Sequence, residues 1–119
     1  MTTTHKADGL YDFCLDYLRE RGVYACDYGR EQFKRAVWRH TGRRCEDTTK
    51  VVITIDFMET LDRYFDGASQ WFAMRMYNRS LITERDWRLC IGQSDATQAR
   101  LQLMNALYNR ATREGLITA

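Results

Sequence analysis

The chain has no proline, only three lysines among its 18 basic residues, and no long uninterrupted apolar run. Low-complexity and disordered sequences are poor in aromatic residues and often rich in Pro, Ser and Gly, so the 15 aromatic residues here argue against that class. A membrane helix needs about 18 apolar residues, and the N-terminal MTTTHKADGL lacks the apolar stretch of a signal peptide. We therefore expect a cytoplasmic protein that makes no membrane contact.

The common catalytic motifs are also missing. The sequence contains no G-x-S-x-G, G-x-x-x-x-G-K-[ST], H-E-x-x-H or G-x-G-x-x-G pattern. Its two histidines, His5 and His40, are a weak basis for acid-base chemistry. We predict that the protein is not an enzyme and uses no cofactor.

The four cysteines are Cys14, Cys26, Cys45 and Cys90. None forms a close pair such as C-x2-C, so they indicate neither a zinc site nor the disulfide framework of a secreted protein. We predict buried free thiols and no bound metal.

The length of 119 residues predicts one domain over 1–119, with a mobile tail at 1–7. Apolar residues from Leu10 to Leu18 follow helical spacing and predict a first helix over 8–21 that ends at Gly22. Like charges four residues apart cost up to about 0.5 kcal/mol per pair. The acidic line along this helix is therefore interpreted as a solvent-facing stripe or as a docking surface for a basic partner. Its members are Asp8, Asp12, Asp16 and Glu20.

Positive charge is concentrated in residues 30–50, which carry seven basic and three acidic side chains, whereas the whole chain has a net charge of +2. A helix is predicted over 27–41, ended by Gly42, with Phe33, Val37 and Trp38 as its apolar contacts. A basic patch is the electrostatic footprint of nucleic-acid binding, although arginine stems also cover apolar surface. The candidate nucleic-acid-binding residues here are Arg30, Lys34, Arg35, Arg39, Arg43, Arg44 and Lys50.

Two segments are compatible with either helix or strand. Residues 47–66 begin with the N-cap types Asp47, Thr48 and Thr49 but contain VVITI, whose β-branched residues favour strands; a helix is preferred. Residues 71–77 are apolar at nearly every position and fit a buried helix or a strand of a hairpin or wing. The large apolar groups of this run predict a homodimer, and they are Trp71, Phe72, Met74, Met76 and Tyr77.

The last third predicts a helical pair. Thr83 and Asp86 fit a capping box for a short helix that ends at Gly92. Ser94 or Asp95 then caps a long helix, and Gly115 ends it in a left-handed conformation, so that Leu116 folds back on the apolar face. That face comprises Leu101, Met104, Leu107, Tyr108 and Ala111.

Residues 83–117 resemble the helix-turn-helix unit of winged-helix DNA-binding regulators. The shared features are a short helix, a Gly-Gln-Ser-Asp turn, a long helix and a Gly-Leu-Ile ending. In that family the second helix enters the major groove and its N-terminal side chains meet base edges and phosphates. The resemblance implies DNA contacts for Gln93, Ser94, Thr97, Gln98 and Arg100, whereas an ordinary helical hairpin would carry the same caps.

These observations predict a mainly α fold of about five helices, in a helix-turn-helix or winged-helix-like single domain, with a small β-hairpin as an option. The predicted function is that of a small DNA-binding protein, a transcriptional regulator of phage, plasmid or archaeal-virus type that binds duplex DNA as a homodimer. One alternative is a helical protein-protein interaction module, an assembly subunit or inhibitor, that docks through the acidic first helix. A further alternative is an RNA-binding subunit of a ribonucleoprotein.

Overall fold

The computed structural model describes residues 4–16, 26–64 and 66–117. In these ranges the mainly α fold with a small β element is confirmed. The elements in chain order are β1 (Asp12–Phe13), α1 (Asp27–Thr41), β2 (Val51–Val52), α2 (Ile55–Tyr64), α3 (Ala68–Asn78), α4 (Glu84–Ile91) and α5 (Ala96–Arg113). Helix α1 packs mainly against α2, whereas α5 packs against α2, α3 and α4. None of the helices seen in the described ranges is both long and apolar enough to cross a membrane.

The helix predicted over 8–21 is wrong for residues 8–16. Gly9 has a φ of +79°, which interrupts a right-handed helix, and β1 follows it. The two strands are antiparallel, with Asp12 opposite Val52 and Phe13 opposite Val51. Phe13 is fully buried, and its ring centroid lies 4.7 Å from that of Phe72. Pairing and burial across the fold thus outweigh the local helical spacing; residues 17–22 lie outside the described residues.

The acidic line consequently does not form a helix face in residues 8–16. The Asp8 carboxylate accepts hydrogen bonds from the backbone N–H groups of Ile55 (2.9 Å) and His5 (3.0 Å). Asp12 lies in β1, and the N–H of Asp16 donates to the carbonyl of Asp47. Glu20 lies outside the described residues. The described acidic residues therefore occupy an irregular segment and β1 instead of one docking helix.

Residues 47–66 contain both of the predicted alternatives, because β2 precedes α2. The helix does not begin at Asp47–Thr49: the hydroxyl of Thr54 accepts the N–H of Phe57 at 3.0 Å and caps α2. Residues 71–77 lie within α3, so the hairpin or wing alternative is wrong there. The strand-forming run VVITI is split, with only Val51 and Val52 pairing with β1.

The predicted boundaries of the last two helices are confirmed. Thr83 and Asp86 form the capping box of α4, and the Asp95 side chain caps α5 by accepting the N–H of Thr97. Gly115 has a φ of +76°, as its predicted left-handed conformation requires. The chain folds back after Gly115, since the N–H of Leu116 donates to the carbonyl of Ala111, but the Leu116 side chain stays 52% exposed.

The large apolar groups of α3 are covered within the chain. Phe72 and Met76 are fully buried, and Trp71, Met74 and Tyr77 are partly buried. The apolar excess that predicted a homodimer is thus not exposed on this helix.

Residues 5–7, predicted to belong to a mobile tail, pack on α5. Ala7 is 1% exposed, and Nε2 of His5 lies 3.0 Å from Oδ1 of Asn105. The ring of His5 also meets that of Tyr108 edge-on. Residues 5–7 are therefore part of the packed domain, and the predicted mobile tail is wrong for them.

All four cysteines are free, as predicted, but only three are buried. Cys14, Cys45 and Cys90 lie in the interior, whereas Cys26 is exposed at the start of α1. Burial raises the pKa of the Cys45 thiol to about 11 and that of the Cys90 thiol to about 12. These two thiols stay protonated and unreactive near neutral pH.

Candidate nucleic-acid interface

Helix α1 carries the residues of the candidate interface. The Sγ of Cys26 accepts the N–H of Gly29 at its start, and Gly42, with a φ of +71°, donates its N–H to the carbonyl of Trp38 at its end. Phe33, Ala36 and Val37 face the core. The opposite side of α1 and the loop that follows it are exposed to solvent.

We define the basic surface as the six exposed basic side chains of α1 and the loop after it. Three shallow pockets connect them: one of about 470 Å³ runs from His40 to Lys50, and two smaller ones reach Arg35 and Arg39. The residues in the described ranges that line these three pockets include no carboxylate. The members of the basic surface are Arg35, Arg39, His40, Arg43, Arg44 and Lys50.

The predicted basic residues fall into two groups according to their partners. Arg30 and Lys34 both form ion pairs with Asp47, the latter at 3.1 Å, and their side chains are about 30% exposed. Arg44 pairs with Glu46 at the surface, where both side chains are largely exposed. In the part of the chain that the structure describes, Arg35, Arg39, Arg43 and Lys50 have no ion-pair partner.

Asp47 shows how tightly the first group is held. Desolvation alone would raise the pKa of its carboxyl group, but hydrogen bonds from Lys34 and Arg30 outweigh that effect and lower the pKa. The carboxylate therefore stabilises the two cations in the N-terminal half of α1. Arg30 and Lys34 add less to the field outside the protein than the unpaired cations do.

Arg100 is not available to DNA, which corrects its predicted role. Its Nη1 lies 2.7 Å from Oδ2 of Asp62, and the side chains are only 12% and 7% exposed. Asp62 also accepts hydrogen bonds from the backbone N–H and the hydroxyl of Ser69. This network joins α2, α3 and α5, so Arg100 serves the packing of three helices.

Asp62 has a pKa shift opposite to that of Asp47. Desolvation by burial raises the pKa of the Asp62 carboxyl group more than the hydrogen bonds from Arg100 and Ser69 lower it. Two carboxylates that both bind arginine thus differ because one is buried and the other lies near the surface.

The other residues implied by the resemblance lie around the start of α5. Ser94, Thr97 and Gln98 are exposed. Gln93 is partly buried, since its side-chain amide donates to the carbonyl of Leu89 and its own carbonyl accepts from Gln70. None of these four residues lines the three pockets that connect the members of the basic surface.

The remainder of α5 forms part of the core. Its buried side chains belong to Ala99, Leu103, Met104, Ala106, Leu107 and Ala111. Of the predicted apolar face, Met104, Leu107 and Ala111 are buried, and Leu101 and Tyr108 are partly buried. A helix with this burial presents only its first turn and a narrow outer side to a ligand.

Sequence reasoning missed two neighbours of the basic surface. Trp38, predicted to make apolar contacts, is 60% exposed, and Arg63 of α2, which pairs with Glu59, lines a pocket with Arg39 and His40. The helical stripe through Phe33 and Val37 continues toward residues 40 and 41, so the position of Trp38 could have been read as peripheral. Arg63 comes from a different helix, and no local pattern places it there.

In the described part of the chain no group of His, Cys, Asp and Glu is arranged to hold a metal ion. Comparison with known proteins finds no matching family model, no similar curated protein and no similar solved structure.

Proposed function

We propose that the protein is a cytoplasmic DNA-binding regulator that contacts the phosphates of duplex DNA through the basic surface. The observation that carries the proposal is the exposure of six neighbouring basic side chains, of which only Arg44 has an ion-pair partner in the described residues. Unpaired cations that neutralise phosphates release condensed counterions, and this release drives nonspecific binding.

The basic surface supports phosphate contacts more strongly than α5 supports base readout. Four unpaired cations lie on or near α1, whereas the cation of α5 predicted to contact DNA is committed to Asp62. Phosphate contacts set affinity and orientation but carry no sequence information. Any base-specific contact falls to the exposed side chains of Ser94, Thr97 and Gln98.

The test of phosphate binding is the salt dependence of duplex affinity. Arg39→Ala combined with Arg43→Ala should weaken binding to every duplex and reduce the log-log salt slope by about 2, since each lost B-DNA phosphate contact contributes about 0.9. The matched control is Arg85→Ala combined with Arg113→Ala, two exposed arginines of α4 and α5. Equal slopes for the two double variants, or no duplex binding by the wild type at low salt, would contradict the proposal.

Sequence preference is tested separately. If Thr97 and Gln98 contact bases, Thr97→Ala or Gln98→Ala should reduce discrimination between sites by about 1–3 kcal/mol and leave the salt slope unchanged. Unchanged preference in both variants would restrict the function to sequence-independent binding.

Assembly as a homodimer is part of the proposal, but its apolar contacts are now placed on α4 instead of on residues 71–77. Leu89 and Ile91 of α4 are 44% and 46% exposed and offer apolar surface for a second copy or another protein. Light scattering on the purified protein should give the mass of a dimer. A monomeric mass at tens of micromolar would remove the dimer without affecting phosphate binding.

A further inference from the structure

Trp38 lies on α1 beside Arg35 and Arg44 of the basic surface, and its side chain faces solvent. It is 60% exposed, while Phe33 and Val37 on the same helix are buried. Trp71, in contrast, packs on Phe13 and Phe72, with the guanidinium of Arg75 5.0 Å from its ring centroid. The ring face of an exposed aromatic side chain is available for stacking, whereas that of a packed one is not.

The surroundings of Trp38 are cationic. A pocket of about 350 Å³ is lined by Trp38 together with Lys34, Arg35 and Arg44, and Cys45 and Tyr64 complete it. Among the described residues that line this pocket there is no carboxylate, although Asp47 pairs with Lys34 and Glu46 with Arg44. A ligand that covers the indole therefore lies beside the unpaired cation of Arg35 and the largely exposed guanidinium of Arg44, which favours a polyanion.

Tyr28 is the internal comparison. It is 62% exposed on the same helix, but the described residues that line the pocket beside it include Asp66 and no basic side chain. The two aromatic side chains have equal exposure and different electrostatic surroundings. Aromatic exposure alone is thus not what distinguishes Trp38.

We propose that Trp38 is a stacking platform for an unpaired base, so that the basic surface binds single-stranded nucleic acid as well as duplex DNA. This inference rests on the proposed function and names a further ligand for the same surface. A duplex buries the faces of its bases in the stack, whereas a single strand offers a face at every nucleotide and a phosphate beside it. Arg35 and Arg44 of the basic surface line the same pocket as the indole and are placed to meet those phosphates.

The experiment compares a labelled oligothymidylate of about 15 nucleotides with a duplex of the same length by fluorescence anisotropy. Trp38→Ala should weaken oligothymidylate binding by about 5- to 100-fold, because stacking on one aromatic side chain contributes that much per base. Duplex affinity should change by less than about twofold. Trp38→Phe should retain most of the single-strand affinity, and Tyr28→Ala should behave as the wild type.

A second readout is the intrinsic fluorescence of the protein. Stacking of thymine on Trp38 should quench part of the emission, and this quenching should disappear in Trp38→Phe, which still binds. An unchanged unfolding midpoint for Trp38→Ala would establish that the loss of binding is not a loss of folding. An oligouridylate arm would separate DNA from RNA, since stacking itself tolerates both.

The outcomes of these measurements distinguish base stacking on Trp38 from phosphate binding and from a protein interface. Equal losses for single strand and duplex in Trp38→Ala, or unchanged oligothymidylate binding, would overturn the stacking role while leaving phosphate binding intact. Conversion of a wild-type dimer to a monomer by Trp38→Ala, with oligothymidylate binding unchanged, would assign Trp38 to a protein interface. Failure of the wild type to bind any nucleic acid would overturn the proposed function together with this inference.

Discussion

Helices α1 and α5 are both long, both arginine-bearing and both predicted to contact DNA, yet they occupy different positions in the fold. Helix α1 buries one side against α2 and leaves its basic side chains in solvent. Helix α5 packs against three helices, and Arg100 in its second turn is paired with Asp62 in the interior. The comparison shows that the role of an arginine here depends on its neighbours across the fold.

The physical difference is desolvation. An exposed guanidinium such as that of Arg39 keeps its water and remains free to bind phosphate, whereas a guanidinium removed from water needs a fixed anionic partner. Asp62 and the hydrogen-bonding groups of Ser69 supply that environment for Arg100. Arginine therefore stabilises the fold on α5, whereas on α1 it gives the surface its positive charge.

The largest expected effect comes from breaking the buried pair. Arg100→Ala leaves Asp62 buried without its cation, and we expect the free energy of unfolding to fall by about 3–5 kcal/mol in urea denaturation. Arg39→Ala, the control on α1, should change it by less than about 0.5 kcal/mol. Similar losses for the two variants would show that the two arginines are not in different environments.

An intermediate effect concerns the glycines that follow the two helices. Gly42 and Gly115 both have positive φ, and a Cβ at either would meet nothing within 4 Å. Gly42→Val and Gly115→Val should each cost about 1–2 kcal/mol in thermal unfolding through backbone strain, and Asn should cost less at both.

Only Gly42→Val should also weaken duplex binding, because Gly42 lies between α1 and Arg43 of the basic surface. Gly115 follows α5 and lines none of the pockets of the basic surface. If Gly115→Val weakens duplex binding as much as Gly42→Val does, the distinction between the two helices as DNA-contacting elements is wrong.

The smallest effect is the opposite direction of two pKa shifts, those of the Asp47 and Asp62 carboxyl groups. NMR titration of the side-chain carboxyl carbons would detect it. Asp47 should titrate below its usual pKa of 3.8 and Asp62 above it. The stability that Asp47 contributes is present above pH 3.8 and is lost as the pH falls through its lowered pKa. Asp47→Asn should remove this part of the acid dependence of unfolding.

Ionisation of Asp62 should change the free energy of unfolding in the opposite direction. Its folded-state pKa is raised, so folding takes up a proton, and the contribution that favours folding is present below pH 3.8 and lost as the pH rises through the raised pKa. As the pH rises through that window, the free energy of unfolding of the wild type should therefore fall relative to that of Asp62→Asn. Shifts of the same sign for both carboxylates would remove the contrast between the buried and the surface pair.

Local signals in the sequence predicted the helix ends well. Thr83, Asp95, Gly42 and Gly115 lie where their capping chemistry requires. Local periodicity failed at residues 8–16, because Phe13 is stabilised by a strand some 40 residues later and by rings from other helices. A two-residue strand has too little pattern of its own to be recognised.

The candidate site was only partly predictable. The concentration of basic residues in 30–50 identified the segment but did not separate its exposed cations from its paired ones. Nothing local showed that Asp47 would hold Arg30 and Lys34, or that Arg63 would join Arg39 and His40 from another helix. These groupings depend on how α1, α2 and the intervening loop pack.

The sequence by itself determined the mainly helical fold, the ends of the last two helices and the segment that carries the positive charge. These depend on hydrogen bonds and periodicity within a few residues, which the order of amino acids specifies directly. Only the tertiary structure decided which arginines are exposed, that Arg100 is buried beside Asp62 and that Trp38 remains in solvent. Those outcomes depend on desolvation and on partners distant in the chain, and packing alone sets both.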